Sequence, residues 1–207
     1  MDHHDWNARY ASREMVWSVG PNQFVAQVVA PLPAGRALDL AAGEGRNALW
    51  LAERGWRVTA VDFSEVALGR AGGLAAERLD RPDALELVPA DLAEYLPPAA
   101  AFDLVLVVYL QVPAELRRTV LRRAADAVAP GGRLVVVTHD PDNLTRGYGG
   151  PGDPDVLYSA ADVAADVADC GLTVLRAEQV TRDVPTDAGS RTAVDALFVA
   201  RRPAVAG

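Results

Sequence analysis

The chain has 207 residues, half of them hydrophobic, with 20 basic and 28 acidic side chains and a net charge of −8. This length can bury the core of one globular domain, and the acidic balance argues against a nucleic-acid-binding surface. One cysteine and three histidines exclude an internal disulfide and a cysteine or histidine metal cluster, and the lack of a long apolar run or signal peptide predicts a cytoplasmic protein without a membrane span.

The first 20 residues contain Trp6, Tyr10 and Trp17, which is unusual for a disordered tail. A helix here would either cap an open edge of a sheet or close over a ligand crevice. In the second case Trp17 could pack against a bound cation through its ring face. Asn22 is then predicted to cap a helix from Gln23 to Ala30.

Residues 35–63 organise the rest of the chain as strand, glycine turn, helix and strand. The segment Ala37–Leu40 is an apolar run, a turn of small residues follows it, and residues 46–54 show an apolar stripe at helical spacing. Residues 57–62 form the second strand. Such a unit is a right-handed parallel crossover whose ligand crevice lies at the carboxyl ends of the strands. The residues at that edge are Asp39, Gly43, Gly45 and Asp62.

Two kinds of ligand suit such a unit. The spacing Gly43-x-Gly45-x-x-Ala48 satisfies the dinucleotide fingerprint. A pyrophosphate, however, requires a turn free of negative charge, whereas Asp39 precedes this turn and Glu44 lies within it. S-adenosylmethionine (SAM) has cationic amino and sulfonium groups and a ribose, and two carboxylates suit it better.

The remaining elements alternate between helix and strand. Ser64 is expected to cap a helix to about Leu79. Strands are predicted at 85–90, 102–108 and 134–138, and a helix at 113–129 whose four arginines are expected to form a solvated face. Tyr109 and His139 follow the strand ends. The loop at 141–158 is expected to form part of the substrate pocket. A capping box is predicted to begin at Ser159. Two strands at 172–184 and 192–201 are expected to form an antiparallel hairpin. The four arginines are Arg117, Arg118, Arg122 and Arg123.

The run Asp39-Leu-Ala-Ala-Gly-Glu-Gly-Arg-Asn47 resembles the first motif of class I SAM-dependent methyltransferases. Its Gly-Arg-Asn continuation is similar to the small tellurite-resistance-type and thiopurine-type branch. The Pro130-Gly-Gly turn and the terminal hairpin are also typical of the class. One departure is that the family usually has glycine where Ala41 stands and often cysteine at Ala42.

The resemblance implies an α/β, Rossmann-like three-layer sandwich with a seven-stranded, mostly parallel sheet of order 3-2-1-4-5-7-6 and an antiparallel C-terminal hairpin. It implies a single domain, 1–207, with a helical lid at 1–33 and a SAM-binding core at 34–202. In it Asp62 binds the ribose, Phe63 packs on the adenine and Asp91 accepts from the adenine amino group. The implied cofactor residues are Trp17, Asp39, Ala41, Gly43, Gly45, Arg46, Asn47, Asp62, Phe63, Ser64, Asp91, Leu92 and Tyr109.

The predicted function is methyl transfer from SAM to a small-molecule acceptor by in-line displacement, in a monomer or homodimer. Tyr109 is the preferred substrate-side residue, and His139 is the candidate general base for a hydroxyl acceptor. Two alternatives stay open. One is an NAD(P)-dependent oxidoreductase, although the chain has no lysine and therefore no Tyr-x-x-x-Lys pair. The other is a SAM-binding protein without catalysis.

Overall fold

The computed structural model describes residues 20–187 and 189–204. Trp17, Trp6 and Tyr10 lie outside this range, so the predicted lid is described only from Gly20 onward.

Helices and strands alternate along the described chain. The helices are α1 (Gln23–Val29), α2 (Arg46–Glu53), α3 (Glu65–Arg78), α4 (Ala114–Ala127), α5 (Asn143–Arg146) and α6 (Ala160–Asp166). The strands are β1 (Arg36–Leu40), β2 (Arg57–Asp62), β3 (Leu85–Pro89), β4 (Phe102–Val108), β5 (Val128–His139), β6 (Thr173–Thr186) and β7 (Gly189–Arg201). Short 3-10 turns lie at Pro82–Ala84 and Pro154–Val156. The predicted caps are confirmed, since Asn22 and Ser64 accept backbone N–H groups of their helices and Ser159 forms the capping box with Asp162.

The seven strands form one sheet of order β3-β2-β1-β4-β5-β7-β6. Strands β1 to β5 pair in parallel, whereas β7 pairs antiparallel with both β5 and β6. The predicted fold class is therefore confirmed. Because β1 and β4 are neighbours at the centre although β2 and β3 separate them in sequence, the strand order reverses there, and ligand crevices form at such points.

Helices cover both faces of the sheet. On one face α1, α2 and α3 pack over Ala37, Ala60 and Leu104. On the other face α4 and α6 pack over Leu38, Leu40 and other alternate residues. Leu38, Leu40 and Leu104 are each no more than 1% exposed. Successive side chains of a strand point to opposite faces, so Asp39, which lies between Leu38 and Leu40, faces the α2 side.

The β6–β7 hairpin is longer than the strand beside it. The last residue pair between β5 and β7 is His139 with Asp195. Pairing between β6 and β7 continues beyond this level, from Thr181 with Val194 to Thr186 with Gly189. The hairpin therefore extends past the carboxyl end of β5, at the same edge of the sheet as the glycine turn.

The arginine-rich face of α4 is not the solvated surface that its spacing predicts. Arg117 is buried, and its Nε donates to Asp166 Oδ2 of α6 at 2.7 Å. Arg122 pairs with Asp169, and Arg123 donates to three carbonyl groups of the 92–95 turn. The prediction was wrong because sequence periodicity cannot show that a second acidic helix packs on this face.

None of the helices in the described part of the chain is long and apolar enough to cross a membrane.

Candidate active site

The turn between β1 and α2 is built on left-handed backbone. Ala41, Gly43 and Gly45 have φ values of 59°, 55° and 77°. Glycine adopts this region freely, whereas an L-residue with a Cβ atom is strained in it. A Cβ atom at Gly45 would also lie 3.0 Å from the Cβ of Ala71. Gly45 therefore allows α2 to approach α3, and the turn brings backbone N–H groups to the end of the sheet.

We expect Ala41→Gly to stabilise the protein, because the family's usual glycine removes the strain of a left-handed alanine. The gain in the free energy of unfolding should be about 0.5–1 kcal/mol after the entropy of the added glycine is deducted. Urea denaturation measures it. The neighbouring Ala42→Gly is the matched control. Because Ala42 does not have positive φ, glycine relieves no strain there, and the free energy of unfolding should fall by a similar amount. A change of the same sign and size at both positions would contradict the explanation.

Asp62 connects the glycine turn to the beginning of α3. Its Oδ2 accepts the N–H of Gly43 at 2.8 Å, and its Oδ1 accepts the N–H of Ser64 at 2.9 Å. Ser64 Oγ in turn accepts the N–H of Ala67. The carboxylate is buried, and its remaining lone pairs can accept further donors. Asp62 thus holds the shape of the turn in addition to its predicted contact with a ribose.

Replacement of Asp62 by alanine should therefore have two effects. SAM affinity should weaken by about 1.5–3 kcal/mol through loss of charge-assisted bonds, as isothermal titration would show. The free energy of unfolding should fall by about 1–3 kcal/mol because two buried N–H groups lose their acceptor. Ser159→Ala is the control, since it removes the N-cap of α6 and Ser159 does not line the cleft. Affinity within about twofold of wild type, in place of the loss expected for charge-assisted bonds, would show that Asp62 does not hold the ribose.

Asp39 is a fully buried carboxylate at the end of β1, and no side chain of the described residues donates a hydrogen bond to either of its oxygens. The pKa of Asp39 is raised to about 7, chiefly by burial and also by the Asp62 carboxylate, while Arg46 and the backbone N–H of Ala48 act in the opposite direction. An unpaired buried carboxylate is costly to a fold. Its presence beside the glycine turn fits a site that receives a cationic ligand group.

A cleft opens between the glycine turn and the end of β4. Seven of the predicted site residues line this cleft, namely Ala41, Gly43, Arg46, Asn47, Asp62, Phe63 and Tyr109. The other lining residues are Ala42, Val108, Leu110, Gln111 and Val112. The other predicted site residues in the described part of the chain do not line this cleft, namely Asp39, Gly45, Ser64, Asp91, Leu92 and His139. Trp17 falls outside the described residues.

Glu44 has a different role from the one its place in the motif predicts. Its carboxylate is buried and pairs with Arg70 of α3 at 2.7 Å. The charge that argues against a pyrophosphate is therefore compensated, and the argument from charge rests on Asp39 and Asp62.

Asp91 and Leu92 follow β3, next to β2 in the sheet. Asp91 is exposed, and its Oδ1 accepts the N–H of Ala93 at 2.8 Å. Leu92 is buried. The residues directly after Asp91 form a turn. The carboxylate retains free acceptor capacity, and its contact with an adenine amino group stays a prediction.

Tyr109 is strained and tightly held. It has φ of 58° directly after β4, and its N–H donates to Val137 O at 2.7 Å. Its hydroxyl donates to Asp195 Oδ2 at 2.8 Å and accepts from Arg182 Nε and Asn22 Nδ2. Burial and the neighbouring Asp195 raise the pKa of Tyr109 well above its usual value. Since the hydroxyl is committed to these partners, the ring face is what Tyr109 offers to the cleft.

His139 lies behind Tyr109. The two rings stack with centroids 4.7 Å apart, and Nδ1 of His139 lies 3.0 Å from Asp195 Oδ1. The 141–158 loop covers its other side, since a Cβ atom at Gly150 would lie 3.0 Å from Nε2. Asn143 anchors that loop by accepting the N–H of Val194 and donating to Gly149 O. The role of His139 as a base stays a prediction, and it requires the acceptor to reach Nε2.

Sequence reasoning missed Asp195 and Arg182. Asp195 is fully buried on β7 and binds the Tyr109 hydroxyl and Arg182 Nε through one oxygen. Burial alone would raise the pKa of Asp195, but His139, Arg182 and Tyr109 together lower it. A lone acid within an apolar strand, Val194-Asp195-Ala196, was the available signal.

Comparison with known proteins agrees with this geometry. Residues 37–132 match the family described as a methyltransferase domain. The matched segment contains the glycine turn, and the sheet order is that of the Rossmann-like methyltransferase fold. The demethylmenaquinone methyltransferase of Clavibacter sepedonicus is 33% identical over 150 residues, which are 69% of this chain and 59% of that protein. The chain thus spans about three fifths of this relative's length.

Solved structures share the whole fold. One of them comes from work on the conversion of a disulfide bond into a thioacetal group during echinomycin biosynthesis. Its TM-score is 0.77 at 21% sequence identity, and the match covers 99% of this chain and 93% of that chain. The N-methyltransferase NodS of Bradyrhizobium japonicum WM9, in complex with S-adenosylhomocysteine, has a TM-score of 0.71 and 20% identity, covering 97% and 98%. At these identities the likeness concerns the fold alone.

Proposed function

We propose that this protein is a SAM-dependent methyltransferase that transfers a methyl group to a small-molecule acceptor by in-line displacement. The observation that carries the proposal is the buried carboxylate of Asp39, which no side-chain donor of the described residues satisfies, next to a left-handed glycine turn. A phosphate-bearing cofactor would be repelled by it, whereas a cationic amino group would be stabilised. When bound, SAM supplies an electrophilic methyl group, and the protein supplies position and electrostatics.

The lining residues suit the separate parts of SAM. Asp39 would stabilise the amino end, and Asp62 would accept the ribose hydroxyl groups. Phe63 would pack on the adenine, with Asp91 and Leu92 beyond it. Gly43 and Asn47 would shape the wall at the turn, where the low side-chain volume leaves room for a ligand.

The acceptor side is proposed to lie beyond the Tyr109 ring. A thiol, halide or tellurite acceptor would need no base, in keeping with the tellurite-resistance and thiopurine branch that the Gly-Arg-Asn run resembles. A phenol or quinol acceptor would lose a proton, and His139 is the candidate base. The acidic net charge of −8 supports a small-molecule acceptor over a nucleic acid.

We also propose that residues 1–33 act as a lid on the 34–202 core. The support is Asn22, which joins this segment to both walls of the cleft. Its N–H donates to Asn47 Oδ1 at 2.9 Å, and its Nδ2 donates to the Tyr109 hydroxyl at 3.3 Å. Closure of the segment would exclude water from the reacting groups.

Isothermal titration of the full chain with SAM, S-adenosylhomocysteine and NAD(P)H tests the cofactor. We expect SAM and S-adenosylhomocysteine to bind and NAD(P)H not to bind. Binding of NAD(P)H alone would establish the oxidoreductase alternative in place of this proposal. A methyl-transfer screen with thiols, halides, tellurite, phenols and quinols then separates an enzyme from a protein that binds SAM without turnover.

A further inference from the structure

A cluster of polar side chains lies at the end of the β6–β7 hairpin, and the contacts proposed for SAM do not use all of its members. It joins Asp195, Arg182, Tyr109 and His139, with Arg46 on the cleft side. The guanidinium carbons of Arg46 and Arg182 each lie 5.7 Å from the centre of the Tyr109 ring. Arg182 pairs with the carboxylate of Asp195, which is fully buried.

Arg182 uses only one edge of its guanidinium group in this cluster. Its Nε donates to Asp195 Oδ2 at 2.7 Å and to the Tyr109 hydroxyl at 3.0 Å. Its two terminal nitrogens have no hydrogen-bond partner within residues 20–187 and 189–204. The side chain is 24% exposed, and it stands on the part of the hairpin that extends beyond β5. A planar fork with free donors binds a carboxylate or another oxyanion through two parallel bonds.

The local charge balance also favours an anion. Arg46 and Arg182 approach the same ring, and besides desolvation, repulsion from Arg182 lowers the pKa of Arg46. Two guanidinium groups therefore approach one ring, and an anionic group bound to the terminal nitrogens of Arg182 would be attracted by both of them.

We propose that the methyl acceptor carries an anionic oxygen group, a carboxylate or an ionised hydroxyl, which Arg182 binds through its two terminal nitrogens. The inference rests on the proposed methyltransferase function and names its substrate class. It also explains why Tyr109 is held in a strained conformation, because Asp195 and Tyr109 together fix the orientation of the guanidinium plane.

The test is titration of the protein saturated with S-adenosylhomocysteine against benzoate, 4-nitrophenolate and the neutral benzamide at pH 8. We expect wild type to bind at least one of the anions about tenfold more tightly than benzamide, as a charge-assisted pair predicts. The benzoate and 4-nitrophenolate arms distinguish a carboxylate from an ionised hydroxyl. Arg182→Gln should abolish the preference, while affinity for S-adenosylhomocysteine stays within about twofold because the cofactor cleft is not altered.

Two further variants complete the design. Arg176→Gln removes an equal charge from the other end of β6, where Arg176 pairs with exposed Glu178, and should keep the preference. Arg182→Lys keeps the charge near Asp195 but not the fork, so it should fold even if Arg182→Gln does not, and should still lose most of the preference. Binding of S-adenosylhomocysteine without any preference for the anions, or a preference that survives in both Arg182 variants, would overturn the inference. Failure to bind S-adenosylhomocysteine would instead overturn the proposed function.

Discussion

Asp39→Asn should make the protein more stable at pH 8 and a much weaker binder of SAM. The pKa of Asp39 in the folded protein is about 7, whereas the ordinary pKa of an aspartate side chain is 3.8. Between these values the unfolded chain ionises Asp39 while the folded chain keeps it protonated, so the free energy of unfolding falls as pH rises. Above pH 7 the full cost applies, with an upper bound of about 4 kcal/mol. The asparagine variant does not have this dependence.

Urea denaturation at pH 5 and pH 8 measures the effect, and Asp80→Asn, at an exposed position, is the control. The difference between Asp39→Asn and wild type should grow by at most about 2.5 kcal/mol between the two pH values, because only the part of the pKa shift between pH 5 and about 7 falls in this window. Calorimetry should show that SAM affinity falls by about 2–5 kcal/mol, as for loss of one partner of a buried charge pair. Parallel pH profiles, or unchanged SAM affinity, would show that Asp39 is not the cofactor carboxylate.

Asp166→Ala should be among the most destabilising single substitutions in this chain. Asp166 is 3% exposed and accepts from Arg117 Nε at 2.7 Å and from Arg118 Nε at 3.1 Å. Arg117 is itself buried over the ring of Tyr158, with its guanidinium carbon 4.8 Å from the ring centre. Removal of the carboxylate leaves a buried cation unpaired, which costs about 3–5 kcal/mol.

Guanidinium denaturation at pH 7 measures the loss in the free energy of unfolding. Asp169→Ala is the matched control, since its pair with Arg122 is exposed to solvent and should contribute little to stability. The double variant Arg117→Leu/Asp166→Leu should recover most of the stability, because no buried charge remains. If Asp166→Ala costs no more than Asp169→Ala, the pair does not hold α4 against α6 in solution.

The sequence alone was enough to bring together the residues around the glycine turn, where the cofactor is proposed to bind. The carboxylates of Asp39 and Asp62 come from neighbouring strands of one crossover unit, and the glycine turn lies between them. Local rules of strand direction and turn chemistry are enough to bring these residues to the same edge. Caps such as Ser64 and the capping box at Ser159 are local as well, and they were confirmed.

The acceptor half depends on contacts that no local pattern encodes. Asp195 meets His139 only because β7 pairs antiparallel with β5 in one register, and Arg182 reaches Tyr109 only because the hairpin extends beyond β5. In the same way, α4 and α6 share a buried ion pair although they are far apart in sequence.

The sequence by itself predicted the crossover unit and the residues around the glycine turn, since these follow from short-range periodicity and the handedness of parallel crossovers, and it predicted the strand order through the resemblance of its motifs to class I SAM-dependent methyltransferases. Only the tertiary structure decided which polar residues meet at the far side of the cleft and which charges are buried. The physical reason is that burial and pairing depend on strand register and helix packing between distant segments, and a one-residue shift in register would turn Asp195 to the opposite face of the sheet.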